Sequence, residues 1–187
     1  MNRRVRISAS FFCLLALLIF LDTENLFLYF LIAAAVHECG HLFAIRLCGG
    51  SILSFRLSAA GGVIRYSLPA QSTAREVWIA LNGCLFGSML SIIAVLIQHP
   101  LLCGASTMLT LFNLLPIPFL DGGRALQLLF GEHAALKLIA DFTIGVLLCT
   151  GVIVAYRWHG FGLLFISVLL ALRQQTGLRQ RANRGMI

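Results

Sequence analysis

The residue pattern with the clearest chemical meaning is His-Glu-Cys-Gly-His at positions 37–41, in the middle of a long apolar run. In a helix His37 and His41 are about 40° apart around the axis, so both imidazoles can bind one metal ion. Glu38 lies about 60° from His41, close enough to take a proton from a water molecule on that metal. Zinc lowers the pKa of such a water from about 15.7 towards 7. The pattern therefore predicts a zinc hydrolase site with Glu38 as the general base.

The apolar flanks strengthen this interpretation. Any helix can carry two histidines one turn apart, but ionisable side chains at membrane depth are expensive and usually mark function. Cys39 points about 200° away from His37 and is not expected to bind the metal. A catalytic zinc takes three protein ligands and keeps one position open, so a third ligand is required.

The best candidate for that ligand is Asp121, at the end of the fourth apolar segment. Pro116 and Pro118 interrupt this segment, because each proline removes a backbone donor. A broken helix at membrane depth survives where it is buried in protein or lines a cavity. Asp121 could instead cap a cytoplasmic helix that begins at Gly122. Together with the histidine pair, in a chain of only seven acidic residues, Asp121 is better interpreted as a metal ligand.

These residues must be positioned by membrane helices. The chain has 187 residues, of which 59% are hydrophobic and 11% charged, far less charge than a soluble domain of this length carries. Crossing the hydrocarbon core takes about 20 apolar residues in a helix. The sequence predicts an all-α polytopic membrane protein with about six transmembrane helices, at 7–21, 26–47, 77–97, 101–117, 138–156 and 159–173.

The distribution of charge gives the orientation. With six spans, only Arg157 among the fourteen basic residues lies on the outer side. Basic residues stay on the cytoplasmic side, so both termini are expected there. The net charge of +7 then suits anionic lipid headgroups rather than nucleic acid. The six cysteines have no metal-binding or disulfide spacing and are expected to serve as small packing residues.

A short cytoplasmic-face β-hairpin is expected between the second and third helices. Apolar and polar residues alternate over 51–58, which is typical of a strand. Residues 59–62 are expected to form a turn, and 63–66 a second strand. An open strand edge is not tolerated in lipid, and it can accept an extended peptide as an added strand.

Taken together, the motifs resemble those of the site-2 protease family of intramembrane zinc metalloproteases. The resemblance rests on His-Glu-Cys-Gly-His at 37–41, on the pattern Asn-x-x-Pro-x-x-x-x-Asp-Gly-Gly-Arg at 113–124, and on the intervening Gly-Gly pair. It extends over about 26–130. The small size of the chain is similar to that of the compact bacterial branch of this family, which includes sporulation sigma-factor-processing proteases. One departure is at 82–87, where Cys84 and Gly87 replace the proline and asparagine of the family motif.

The resemblance implies the role of each site residue. It implies one zinc ion per chain, bound by His37, His41 and Asp121, with Glu38 as the general base. Asn113 resembles the family asparagine that holds the substrate backbone or steadies the oxyanion. Gly61 and Gly62 resemble the Gly-Gly element beside the active site, where substrate binds.

We therefore predict a single membrane-embedded metalloprotease domain over 1–187, with its core at 26–130 and a basic cytoplasmic tail at 174–187. It would be an endopeptidase that cleaves a transmembrane or membrane-associated protein. The expected partners are this substrate, the lipid bilayer and a regulatory membrane protein, and the expected location is a bacterial cell membrane. The alternatives are a non-catalytic metal-binding membrane protein and a transporter, in which broken helices and buried carboxylates also occur.

Overall fold

The N-terminal part consists of one strand, one long helix and a β-hairpin. The structure is a computed structural model that describes residues 4–9, 12, 15–16, 19–20, 22, 26–58, 61–70, 72–158 and 160–184. The elements of this part are strand β1 (Arg4–Ile7), helix α1 (Leu26–Leu47), strand β2 (Ser51–Ser58) and strand β3 (Gly61–Ser67). Of the first predicted span, 7–21, the structure describes only residues 7–9, 12, 15–16 and 19–20, and the first of them, Ile7, ends β1.

The rest of the chain is helical. Its elements are α2 (Thr73–Leu96), α3 (Pro100–Asn113), α4 (Asp121–Phe130), α5 (Ala134–Trp158) and α6 (Gly162–Arg184). The described residues therefore form a mostly helical protein with six helices and a small sheet. Helix α6 continues to Arg184, within the segment 174–187 that the sequence assigns to a basic tail.

Three of the described helices are long and apolar enough to cross a membrane, namely Leu26–Leu47, Thr73–Leu96 and Ala134–Arg157. Helix α6 contributes a shorter apolar stretch, Gly162–Gln175. Helix α3 has 14 residues and is about 21 Å long, less than the hydrocarbon thickness of about 30 Å. The predicted fourth span, 101–117, is thus too long, because the chain leaves the helix at Asn113, before the two prolines. The length and composition are those of a membrane protein, and six crossings stay a prediction.

The predicted hairpin is present, but it belongs to a three-stranded sheet. Strand β1 pairs in parallel with β2, and β2 pairs antiparallel with β3, in the order β1-β2-β3. The prediction of a two-stranded hairpin alone is therefore wrong, because the sheet has a third strand. Positions 4–7 alternate between arginine and apolar residues over only four positions, and their partner strand lies more than forty residues away. The predicted turn is also too long, because Gly61 and Gly62 already pair in β3.

The sheet packs on the ends of α1 and α2. A bulge between Ile52 and Ser54 interrupts the β2–β3 register. A small core forms around Ala44, Ile45 and Ile79, and the apolar face of the sheet contributes Ile52, Ile64 and Tyr66 to it. The sheet is thereby held against the C-terminal half of α1.

Helices α1 and α2 approach closely at a glycine. A Cβ atom on Gly40 would lie 2.5 Å from the backbone oxygen of Asn82, which is closer than any real contact. Small residues allow two helix backbones to meet in this way. The contact brings the histidine-bearing turn of α1 against the middle of α2.

The proline-containing loop between α3 and α4 is an ordered part of the core. Ile117 is fully buried and packs with Ile144 of α5 and Leu170 of α6. A Cβ atom on Gly122 or Gly123 would collide with the backbone of this loop, at Leu114 and Ile117 respectively. The Gly-Gly pair therefore lets α4 begin directly against the loop, and this fixes the position of Asp121.

Candidate metal centre

Three side chains from α1 and α4 bring their donor atoms to one point. His37 Nε2 lies 2.8 Å from Asp121 Oδ2, and His41 Nε2 lies 3.2 Å from the same oxygen. The two Nε2 atoms are 3.2 Å apart. All three side chains are largely buried, with His37 only 6% exposed. The 3.6-residue period of α1 places the histidines on one face, and the start of α4 supplies the carboxylate.

The dimensions of this triangle fit a zinc ion. Zinc binds histidine nitrogen and carboxylate oxygen at about 2.0–2.1 Å in tetrahedral geometry, which requires donor atoms about 3.3 Å apart. Two of the observed separations, both 3.2 Å, are close to that value, and the third, 2.8 Å between His37 and Asp121, is about 0.5 Å shorter. Two imidazoles and one carboxylate also form a ligand set found in catalytic zinc sites.

The tautomer of His41 agrees with metal binding. Its Nδ1 lies 2.8 Å from the backbone oxygen of Ile79 in α2, and since that oxygen can only accept, Nδ1 carries the proton. Nε2 then has a free lone pair directed at the other donors. A histidine ligand is commonly oriented through such a bond from its second nitrogen. Among the described residues the Nδ1 atom of His37 is buried and has no hydrogen-bond partner.

Asp121 is the first residue of α4. Leu120, which has no side-chain acceptor, occupies the N-cap position, and the carboxylate of Asp121 points towards the histidines. Burial raises the pKa of this carboxyl group, but hydrogen bonds and charge interactions with His37 and His41 outweigh burial and lower the pKa to about 2. The carboxylate of Asp121 thus contacts the two histidines, and its role as a metal ligand stays a prediction.

Glu38 lies between the donor triangle and the sheet. A Cβ atom on Gly62 of β3 would be 2.7 Å from Glu38 Oε1, so the carboxylate rests against the bare backbone of the strand. A side chain at this position would displace the Glu38 carboxylate. The predicted importance of Gly62 thereby gains a physical reason, whereas Gly61 pairs with Ser58 at the start of β3.

Helix α2 closes the other side of the triangle through Gly83. A Cβ atom at this position would be 2.7 Å from His37 Nε2 and still closer to His41 Nε2. The next residue, Cys84, is 4% exposed, and its Sγ lies 3.9 Å from Asp121 Oδ2. The donor atoms of His37, Cys84 and Asp121 lie within 4.8 Å of one another. Cys84 is thus buried as the sequence predicts, but it is also beside the candidate ligands.

A cavity of about 590 Å³ opens beside the donors. Its lining includes Glu38 and the apolar face of the sheet, represented by Phe55 and Ile64. Asn113, the last residue of α3, also lines it and donates a hydrogen bond from Nδ2 to the backbone oxygen of Leu109 at 2.9 Å. An extended segment could therefore lie between the sheet and the donor triangle.

The residues selected from the sequence converge in the structure. The donor atoms of His37, His41 and Asp121 meet at one point, Glu38, Asn113 and Gly62 line the adjoining cavity, and Cys39 is exposed. Their catalytic, metal-binding and substrate-binding roles stay predictions. The close positions of Gly83 and Cys84 are not foreseen, because no spacing in the sequence tells which turn of α2 meets the histidines.

The described fold and donor group define a mostly helical membrane protein with a candidate metal centre beside a small sheet. The solved structure of the site-2 protease from Methanocaldococcus jannaschii is similar to it, with a TM-score of 0.62 over 94% of this chain and 91% of that chain. Sequence identity is 20%, so the likeness establishes a site-2 protease-like fold. Comparison with protein-family models gives no match, and comparison with curated proteins gives none.

Proposed function

We propose that the protein is an intramembrane zinc endopeptidase that cleaves a transmembrane or membrane-associated protein segment. One observation carries the proposal: the donor atoms of His37, His41 and Asp121 form a triangle of zinc-binding dimensions, with the Glu38 carboxylate at its side. The likeness to the site-2 protease fold supports the same conclusion.

Each residue of the metal centre has a separate role in this proposal. His37, His41 and Asp121 would hold the zinc, which when bound would polarise the scissile carbonyl and lower the pKa of a water molecule. Glu38 takes the proton of the attacking water and later delivers it to the leaving amine. Its carboxylate lies close to the backbone of Gly62.

The cavity supports an extended substrate. It lies between α1 and the apolar face of β2 and β3, which suits a transmembrane segment that has been partly unwound. Asn113 would bind the substrate backbone through its amide oxygen, which accepts, or would steady the oxyanion through the second N–H of Nδ2, since the backbone oxygen of Leu109 takes only one of the two N–H groups. A free strand edge would add main-chain hydrogen bonds to the substrate.

The biological setting follows from the charge distribution. Both termini would face the cytoplasm of a bacterial cell, as the basic residues indicate. Cleavage near that face would release a cytosolic fragment such as a transcription or sigma factor. The partners would be this substrate, the bilayer and a membrane protein that regulates cleavage.

The test is a Glu38→Gln variant, co-expressed with candidate single-span proteins. Glu38→Gln should bind about one zinc ion per chain, as the unaltered protein does, while cleavage falls by about 10²–10⁴-fold because the proton acceptor is lost. Glu76→Gln, in the first turn of α2, is the matched control and should leave cleavage unchanged. Undiminished cleavage by Glu38→Gln would exclude the assigned role of Glu38.

A further inference from the structure

Cys84 is a buried thiol that lies beside the candidate metal ligands. It has no role in the proposed mechanism. Its Sγ is 3.9 Å from Asp121 Oδ2, and it belongs to the same group of donor atoms as His37 and Asp121. We propose that Cys84 is a fourth, displaceable ligand of the metal ion, which closes the coordination shell in a resting form of the protein. This inference rests on the proposed function.

The geometry agrees with sulfur ligation. Zinc binds thiolate sulfur at about 2.3 Å and carboxylate oxygen at about 2.0–2.1 Å, so the two atoms are about 3.6 Å apart in a tetrahedral shell. The observed separation of 3.9 Å exceeds this value by about 0.3 Å, and the donor atoms of Cys84 and His37 lie within 4.8 Å of each other. Sγ must move closer to the nitrogen atoms before it can enter the shell.

The position of Cys84 on α2 explains how it reaches the metal. Gly83 lets the helix backbone approach both Nε2 atoms, and Cys84 follows directly. The described residues that line the cavity include His37, His41 and Asp121 but not Cys84. Sulfur would thus approach from the packed interior between helices, while substrate and water enter from the cavity.

Thiolate ligation would change the character of the site. A zinc ion with four protein ligands is closed, as in structural sites, whereas a catalytic zinc keeps one position open. In that form Cys84 would be a thiolate, its proton having passed to water. If water or the substrate carbonyl displaced the sulfur from the cavity side, Cys84 would take a proton back from water. Three ligands and Glu38 then remain for catalysis.

The experiment is X-ray absorption spectroscopy on the full chain, purified in detergent and loaded with zinc. The unaltered protein should show one sulfur at about 2.3 Å besides nitrogen and oxygen at about 2.0–2.1 Å. Cys84→Ser should lose the sulfur contribution, whereas Cys149→Ser, an exposed cysteine on α5, should retain it.

The possible outcomes separate the two proposals. Zinc bound by nitrogen and oxygen alone in the unaltered protein would overturn the role of Cys84 and leave the proposed function standing. A sulfur signal that persists in Cys84→Ser would overturn it as well. A failure of the unaltered protein to bind zinc would refute the metal centre itself, and the role of Cys84 with it. The first result needs no variant, so it does not depend on how a substitution folds.

Discussion

Adding one methyl group at Gly83 should destroy the metal centre without weakening the helix that carries it. In a Gly83→Ala variant the new Cβ would lie 2.7 Å from His37 Nε2, although ordinary contacts are at least 3.4 Å. His37 must therefore retreat by about 0.7 Å, and His41 by more. Metal sites tolerate distance errors of only about 0.2 Å, so both ligands leave their positions.

The expected loss can be bounded from these displacements. Mutations beyond the ligands already cost about 10–100-fold in metal affinity, and here two ligands move directly. We expect zinc affinity to fall by at least about 100-fold, equivalent to about 2.7 kcal/mol. The helix itself should gain about 0.5–1 kcal/mol, because alanine is favoured over glycine in a helix interior.

The assay measures bound zinc per chain and zinc affinity in detergent, together with the melting temperature of the metal-free protein. Gly145→Ala on α5 is the matched control, because a Cβ there meets nothing within 4 Å. It should bind zinc normally. A Gly83→Ala protein that keeps its zinc affinity and cleavage would show that the helix contact or the ligand set is wrongly assigned.

Two further substitutions separate metal binding from proton transfer. Asp121→Asn should lower zinc affinity by more than about 10-fold, since the anionic ligand is lost. The control is Asp141→Asn, which alters an exposed carboxylate on α5 and should leave zinc affinity unchanged. Equal zinc affinity in both variants would argue against Asp121 as a ligand. Gly62→Ala should displace the Glu38 carboxylate and reduce cleavage by at least about 10-fold, while the zinc content stays unchanged. The control is Val63→Ala, on the exposed side of β3, which should have little effect on cleavage. Cleavage at the normal rate by Gly62→Ala would contradict the contact between the strand and Glu38.

Local patterns in the sequence are sufficient to predict much of the site. The spacing of His37 and His41 places two imidazoles on one face of any helix, whatever that helix packs against. The prolines that end α3 and the Gly-Gly pair that follows Asp121 likewise act through backbone geometry over a few residues. The alternation over 51–58 predicts β2 for the same reason. These features depend on neighbours along the chain, so they can be predicted before the fold is known.

Long-range contacts decide the rest. Strand β1 forms because Arg4–Ile7 pairs with β2. The four residues of β1 contain no pattern that predicts this distant partner. The sequence motif carries two imidazoles and a base, but only the docking of α4 on the proline-containing loop brings the Asp121 carboxylate to 2.8 Å from His37. The crossing of α1 and α2 at Gly40 then selects Gly83 and Cys84 as neighbours of the donors. Such positions depend on the packing of several helices at once, which spacing along the chain does not encode.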